Sequence, residues 1–120
     1  MINAVVVTGT DTDIGKTVFA AGLTQALQAT YWKPVQAGLE GETDSQTVAR
    51  QSGAQTLPEA YRLRMPASPH LAAEDERLEI DPARLILPQT DGPRVVEAEF
   101  LFLRPRRWSG QASTCPGCHQ

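Results

Sequence analysis

The stretch Gly9-Thr10-Asp11-Thr12-Asp13-Ile14-Gly15-Lys16-Thr17 holds the residues whose types and spacing speak most directly of chemistry. A glycine-bearing turn that opens into a helix points successive backbone N–H groups at one spot, and the helix dipole adds a favourable potential for an anion. In such a loop the Lys16 ammonium reaches the outer phosphates of a nucleotide, and the Thr17 hydroxyl ligates Mg²⁺. Five residues separate Gly9 from Gly15, one more than the usual spacing, and Thr10 holds the usual position of the first glycine. The rival reading is a plain strand-to-helix turn with a chance Gly-Lys-Thr. Context favours the phosphate loop, because a strand precedes it and a helix follows.

Other candidates lie downstream. Lys33 is the only other lysine of the chain and stands just before Pro34. It reads either as an active-site cation or as a solvated lysine at a strand end. Asp44 suits a metal site and equally suits a helix N-cap. Asp11 and Asp13 can serve simply as turn formers. His70 follows Pro69 and reads as structural rather than as a proton shuttle.

The elements that must position these residues follow an α/β pattern. Ile2 to Thr8 is a β-branched, nearly continuous apolar run, as in a parallel strand buried on both faces. Lys16 to about Gln28 reads as a helix with Phe19, Leu23, Ala26 and Leu27 on one stripe. Thr30 to Gln36 reads as a second strand, with Pro34 suited to an edge or strand end. Gly38 to Glu42 is a loop. Asp44 to Gln51 is a short helix ended by Ser52-Gly53. Residues 54–80, with Pro58, Pro66 and Pro69, carry no clear period. Asp81 to Leu87 reads as helical, with Asp81 as N-cap and Pro82 in the first turn. Arg94 to Leu103 is apolar again apart from Glu97 and Glu99. Strand, turn, helix and strand make a βαβ opening. The expected fold is a partial, P-loop NTPase-like three-layer α/β/α unit with a parallel sheet, Ile2–Thr8 central and Arg94–Glu97 beside or near it.

Composition narrows the class. A chain of 120 residues is about one small domain. Net charge is -3 and the isoelectric point about 5.3, which argues against a dedicated nucleic-acid or acidic-membrane binder. No apolar run approaches the length of a transmembrane helix. The two cysteines, Cys115 and Cys118, are too few for a disulfide scaffold, and the start lacks the features of a secretory signal. The expected compartment is the cytoplasm.

These motifs resemble the dethiobiotin synthetase family, ATP-dependent enzymes of biotin biosynthesis. The loop Gly9–Thr17 is similar to that family's N-terminal loop. Tyr31-Trp32-Lys33-Pro34-Val35-Gln36-Ala37-Gly38 resembles its second strand, Thr43-Asp44-Ser45 its metal-binding aspartate, and Pro66-Ala67-Ser68-Pro69-His70 the segment after it. Val95-Val96-Glu97 resembles the strand ending in its third metal-site residue. The resemblance implies conversion of 7,8-diaminopelargonate, CO₂ and MgATP to dethiobiotin, ADP and phosphate, by a homodimer. It implies Lys33 as the catalytic lysine and Asp13, Ile14, Gly15, Lys16, Thr17, Val18, Asp44 and Glu97 as the nucleotide and cofactor contacts. Thr17, Asp44 and Glu97 would hold Mg²⁺, a hard cation that prefers oxygen ligands.

Two departures accompany it. Ala37 stands where the family often has Ser or Thr ahead of the glycine. Ala98-Glu99-Phe100-Leu101 follows Glu97 where the family has a glycine turn. Residues 1–97 carry net charge -5 and residues 98–120 carry +2. The expectation is therefore a family-like unit over 1–97 and an irregular, non-family tail over 98–120, arising from a frameshift, a misplaced gene boundary or an artificial junction. A natural short protein with its own C-terminal function is the alternative. For function, the alternative is a truncated, inactive nucleotide-binding fragment. Cys115-Pro116-Gly117-Cys118-His119 matches the haem-attachment pattern, here read as chance.

Overall fold

The computed structural model describes residues 4–9 and 14–98. In chain order the elements are β1 (Ala4–Val7), α1 (Ile14–Leu27), β2 (Thr30–Trp32), β3 (Val35–Ala37), α2 (Asp44–Ser52), β4 (Tyr61–Leu63), α3 (Pro69–Asp75), a 3-10 turn at Pro82–Arg84, and β5 (Arg94–Glu97). Two parallel sheets form, one in the order β1-β5-β2 and a smaller one pairing β3 with β4. The expected α/β class and the parallel pairing of the first strand with Arg94–Glu97 are both present. Among the described strands, however, β5 is the middle one and β1 flanks it. The tail expectations, including Cys115, Cys118 and His119, lie outside the described residues.

Register explains the layering. Val5, Val6 and Val7 pair with Val95, Val96 and Glu97, while Tyr31 and Trp32 pair with Val95 and Val96. Alternation then sends Val7, Tyr31 and Val95 to one face, where they pack with Ala20 and Ala21 from α1 and Val48 from α2. Trp32, Val96 and Ala98 go to the other face, with Leu57 and Leu87 against them. Val6 points the same way and is exposed. The expectation that the first strand is buried on both faces therefore fails for Val6, because among the described residues a helix layer covers only the Val7 face of β1.

Several element expectations are corrected. The stretch Thr30 to Gln36 is two strands in two sheets, not one. Pro34 has no N–H to continue a ladder, and its carbonyl instead accepts from Ala60 and Tyr61 at 2.8 and 3.0 Å. In α1, Phe19 and Ala26 are exposed, and the buried stripe is Thr17, Ala20, Ala21 and Thr24. Small residues there let α1 lie close on the sheet and α2. The 81–87 helix shrinks to the 3-10 turn, although Asp81 does cap it by accepting from the Ala83 N–H at 3.0 Å. Of the apolar run Arg94 to Leu103, Arg94–Glu97 forms β5, and residues 99–103 lie outside the described residues. In the unassigned stretch, β4 and α3 join Val35 in a second cluster of Tyr61, Leu63, Ala72 and Ala73.

Candidate active site

In a parallel sheet the strands share one carboxyl end, and the segments leaving that end converge. Here it gathers four side chains from four separate segments. Thr17 is in the first turn of α1, Lys33 follows β2, Asp44 is the first residue of α2, and Glu97 is the last residue of β5. One step past the Trp32–Val96 pair, register brings Lys33 level with Glu97.

Glu97 is the centre of the arrangement and is fully buried. A buried carboxylate needs donors on its oxygens. Tyr31 donates its hydroxyl to Oε1 at 2.6 Å, and Thr17 donates its hydroxyl to Oε2 at 3.0 Å. The Lys33 ammonium lies 3.9 Å from Oε2 and is ion-paired with the Asp44 carboxylate. Burial, together with the neighbouring Glu97 charge, pushes the Tyr31 phenol far above its usual range, so it serves as a neutral donor.

The second sheet and α2 hold Asp44 in place. Gln36 is buried, and its amide nitrogen donates to the Ala37 and Gly38 carbonyls at 3.2 and 3.0 Å. Its amide oxygen accepts from the Asp44 N–H at 3.2 Å. Asp44 is not the N-cap of α2. Thr43 is, accepting from the Gln46 N–H at 3.3 Å, while the Gln46 side chain accepts from the Thr43 N–H at 2.8 Å. Asp44 is thereby free of capping, and its carboxylate turns to Lys33. Gly38 has φ +92°, and a Cβ there would meet Pro66 at 3.1 Å, so only glycine lets this loop close on the 66–69 segment.

Between these parts lies a cleft of about 260 Å³ lined by Lys16, Lys33, Gln36, Ala37, Asp44, Glu97 and the Pro66–Pro69 segment. Of the sequence-predicted residues, Lys16, Lys33, Asp44 and Glu97 line it, and Thr17 reaches it through Glu97. Gly15 stands in the first turn of α1 and Val18 just after it; neither lines the cleft, and Val18 is exposed. Ile14 opens α1, and Asp13 lies outside the described residues. His70 is exposed on α3. Sequence reasoning missed Tyr31 and Gln36. The signal for Tyr31 was its period-2 spacing from Lys33, which puts both on one strand face.

The donor set suits a hard divalent cation. It is all oxygen, a hydroxyl and two carboxylates, gathered where an ammonium already sits as positive charge. Among the described residues no group of three or more His, Cys, Asp or Glu could hold a metal. A cation bound between Asp44 and Glu97 would therefore draw a third protein ligand from a hydroxyl, and the Thr17 hydroxyl is the one within hydrogen-bond distance of Glu97.

A parallel strand, a Gly-Lys-Thr in the first turn of the helix after it, and a cluster of cations and carboxylates at the sheet's carboxyl end fit a P-loop nucleotide-binding class. The family model described as "AAA domain" matches residues 3–100, and the chain belongs to that family. Among curated proteins it is similar to the "ATP-dependent dethiobiotin synthetase BioD" of Agrobacterium fabrum, 67% identical over 103 residues, which are 83% of this chain and 49% of that protein. Proteins of the same name from Rhodopseudomonas palustris and Nitrobacter hamburgensis are 65% and 60% identical over 108 residues, in each case 88% of this chain and 51% of the relative. The chain spans about half the length of the curated relatives it matches. No helix among the described residues is long and apolar enough to cross a membrane.

Proposed function

We propose that the chain acts as an ATP-dependent dethiobiotin synthetase, closing the ureido ring of dethiobiotin from 7,8-diaminopelargonate, CO₂ and ATP. The observation that carries this reading is the convergence of Thr17, Lys33, Asp44 and Glu97 beside Lys16 on one cleft. In the proposal Lys16 contacts the nucleotide phosphates, with Asp13, Ile14, Gly15 and Val18 contributing from before and along the start of α1. Thr17, Asp44 and Glu97 hold Mg²⁺, which when bound supplies charge neutralisation at the phosphate oxygens.

Lys33 takes the catalytic role. Its ammonium, held by two carboxylates, is fixed before substrate arrives, so little reorganisation is needed when negative charge builds beside it. It stabilises the carbamate formed from one substrate amine and CO₂, and then the phosphoryl group passing to that carbamate. The second amine attacks the carbamic-phosphoric anhydride, the ring closes, and phosphate leaves. Homodimeric assembly and a cytoplasmic location belong to the same proposal.

The test is formation of dethiobiotin from diaminopelargonate, bicarbonate and MgATP by the chain, read by mass spectrometry beside calorimetry with MgATP. Product that disappears in Lys33→Ala, with MgATP binding that disappears in Lys16→Ala, is the expected result. MgATP binding without turnover assigns the narrower role of a nucleotide-binding member of the family. Binding equal in wild type and Lys16→Ala rejects the site.

A further inference from the structure

Tyr31, like Thr17, hydrogen-bonds Glu97 without itself lining the cleft, and it does so from within the apolar core. We propose that it is a positioning residue. Its hydroxyl occupies Oε1 of Glu97, so that Oε2 alone is presented to the metal, Thr17 and Lys33. This inference rests on the nucleotide and metal reading above.

The geometry divides the two oxygens of Glu97 by role. Oε1 receives the phenol at 2.6 Å, whereas Oε2 receives the Thr17 hydroxyl at 3.0 Å and stands 3.9 Å from the Lys33 ammonium. The ring of Tyr31 is fully buried in the cluster of Val7, Ala20, Ala21, Val48 and Val95. It cannot swing away without opening that core. A phenol fixed by packing fixes in turn the plane of the carboxylate to which it donates. Mg²⁺ demands near-ideal octahedral geometry and takes few carboxylate oxygens, so a carboxylate that offers one oxygen in one orientation suits it. Partners of this outer kind are worth roughly 10–100-fold in metal affinity.

Phenylalanine at position 31 keeps the ring and deletes only the donor. The experiment titrates Mn²⁺ by electron paramagnetic resonance into wild type, Tyr31→Phe, Glu97→Gln and the double variant, each with ADP, and measures ADP affinity in EDTA. Tyr31→Phe should weaken Mn²⁺ binding about 10–100-fold. Metal-free ADP affinity should stay within about twofold, and Tyr31→Phe should add nothing in the Glu97→Gln background. Wild-type Mn²⁺ affinity in Tyr31→Phe, or a full further loss in the Glu97→Gln background, overturns the inference alone. A wild-type chain whose ADP affinity gains nothing from Mn²⁺ overturns the metal reading and this inference together. If Tyr31→Phe does not fold, 3-fluorotyrosine at position 31 keeps the hydroxyl and reports on it. Its fluorine resonance should move on adding Mg²⁺ and ADP in the Glu97 chain and stay in place in Glu97→Gln. A resonance that moves in both, or in neither, overturns the inference.

Discussion

Lys33 answers two carboxylates at once, paired with Asp44 and 3.9 Å from Glu97, with its own side chain mostly buried. Removing one member of such a cluster leaves the remaining buried charge uncompensated, which costs more than the intact pair contributes. Lys33→Ala should therefore lower stability by about 1–3 kcal/mol. Added Mg²⁺ should raise the Tm of Lys33→Ala more than that of wild type, since a cation between Asp44 and Glu97 replaces the lost charge. Thermal scans across a magnesium series check this, and equal shifts in both proteins would contradict it. Lys33 itself was legible in sequence as a scarce residue before a proline. Its partners were legible only as separate carboxylates, because nothing local says that Asp44 and Glu97 meet.

At the scale of the element, α2 shows how a short helix is fixed at its start. The reciprocal Thr43–Gln46 cap, the Gln36 amide on the Asp44 N–H, and Gly53 in the left-handed region at φ +70° bound it from both ends. Glu42 adds a surface clasp, accepting from the Thr47 hydroxyl at 2.9 Å and from two nitrogens of Arg50 at 2.8 and 2.9 Å. Those donors, Arg50 foremost and then Thr47, pull the Glu42 carboxyl down from 4.5 to about 2. A depressed acid contributes stability above its unfolded pKa and loses it as pH falls through the folded one. The Tm difference between wild type and Glu42→Gln should be constant above about pH 5 and should shrink between 4.5 and about 2. A difference that persists unchanged at pH 2 would show that the clasp is not ionic. The pair is exposed, so the effect should be small and should fall with salt.

Across the whole molecule, β5 is hydrogen-bonded on both sides, by β1 and β2, and its Val95 and Glu97 are fully buried. Among the described residues the second sheet consists of β3 and β4 alone. Amides in the most enclosed element open only with the largest unfolding event. Hydrogen exchange should be slowest at Val95, Val96 and Glu97 and faster in β3 and β4. The reverse order would mean that the smaller sheet, not the β1-β5-β2 sheet, is the stable centre.

The sequence by itself determined the strand–loop–helix opening, the Gly-Lys-Thr of its loop and the α/β class, because these depend on residues adjacent in the chain and on local periodicity. It also exposed Lys33, Asp44 and Glu97 as separate candidates. Only the tertiary structure decided that β5 lies between β1 and β2, and so that Glu97, 80 residues from Thr17, accepts its hydroxyl. It also decided that Thr43, not Asp44, caps α2, and that Pro34 parts two sheets where composition suggested one strand. The hydrogen bonds of Tyr31 and Gln36 came from the same source. The reason is physical: a buried polar side chain is defined by the partner it finds across the fold, and strand order, which sets that partner, is a property of long-range pairing that no local window contains.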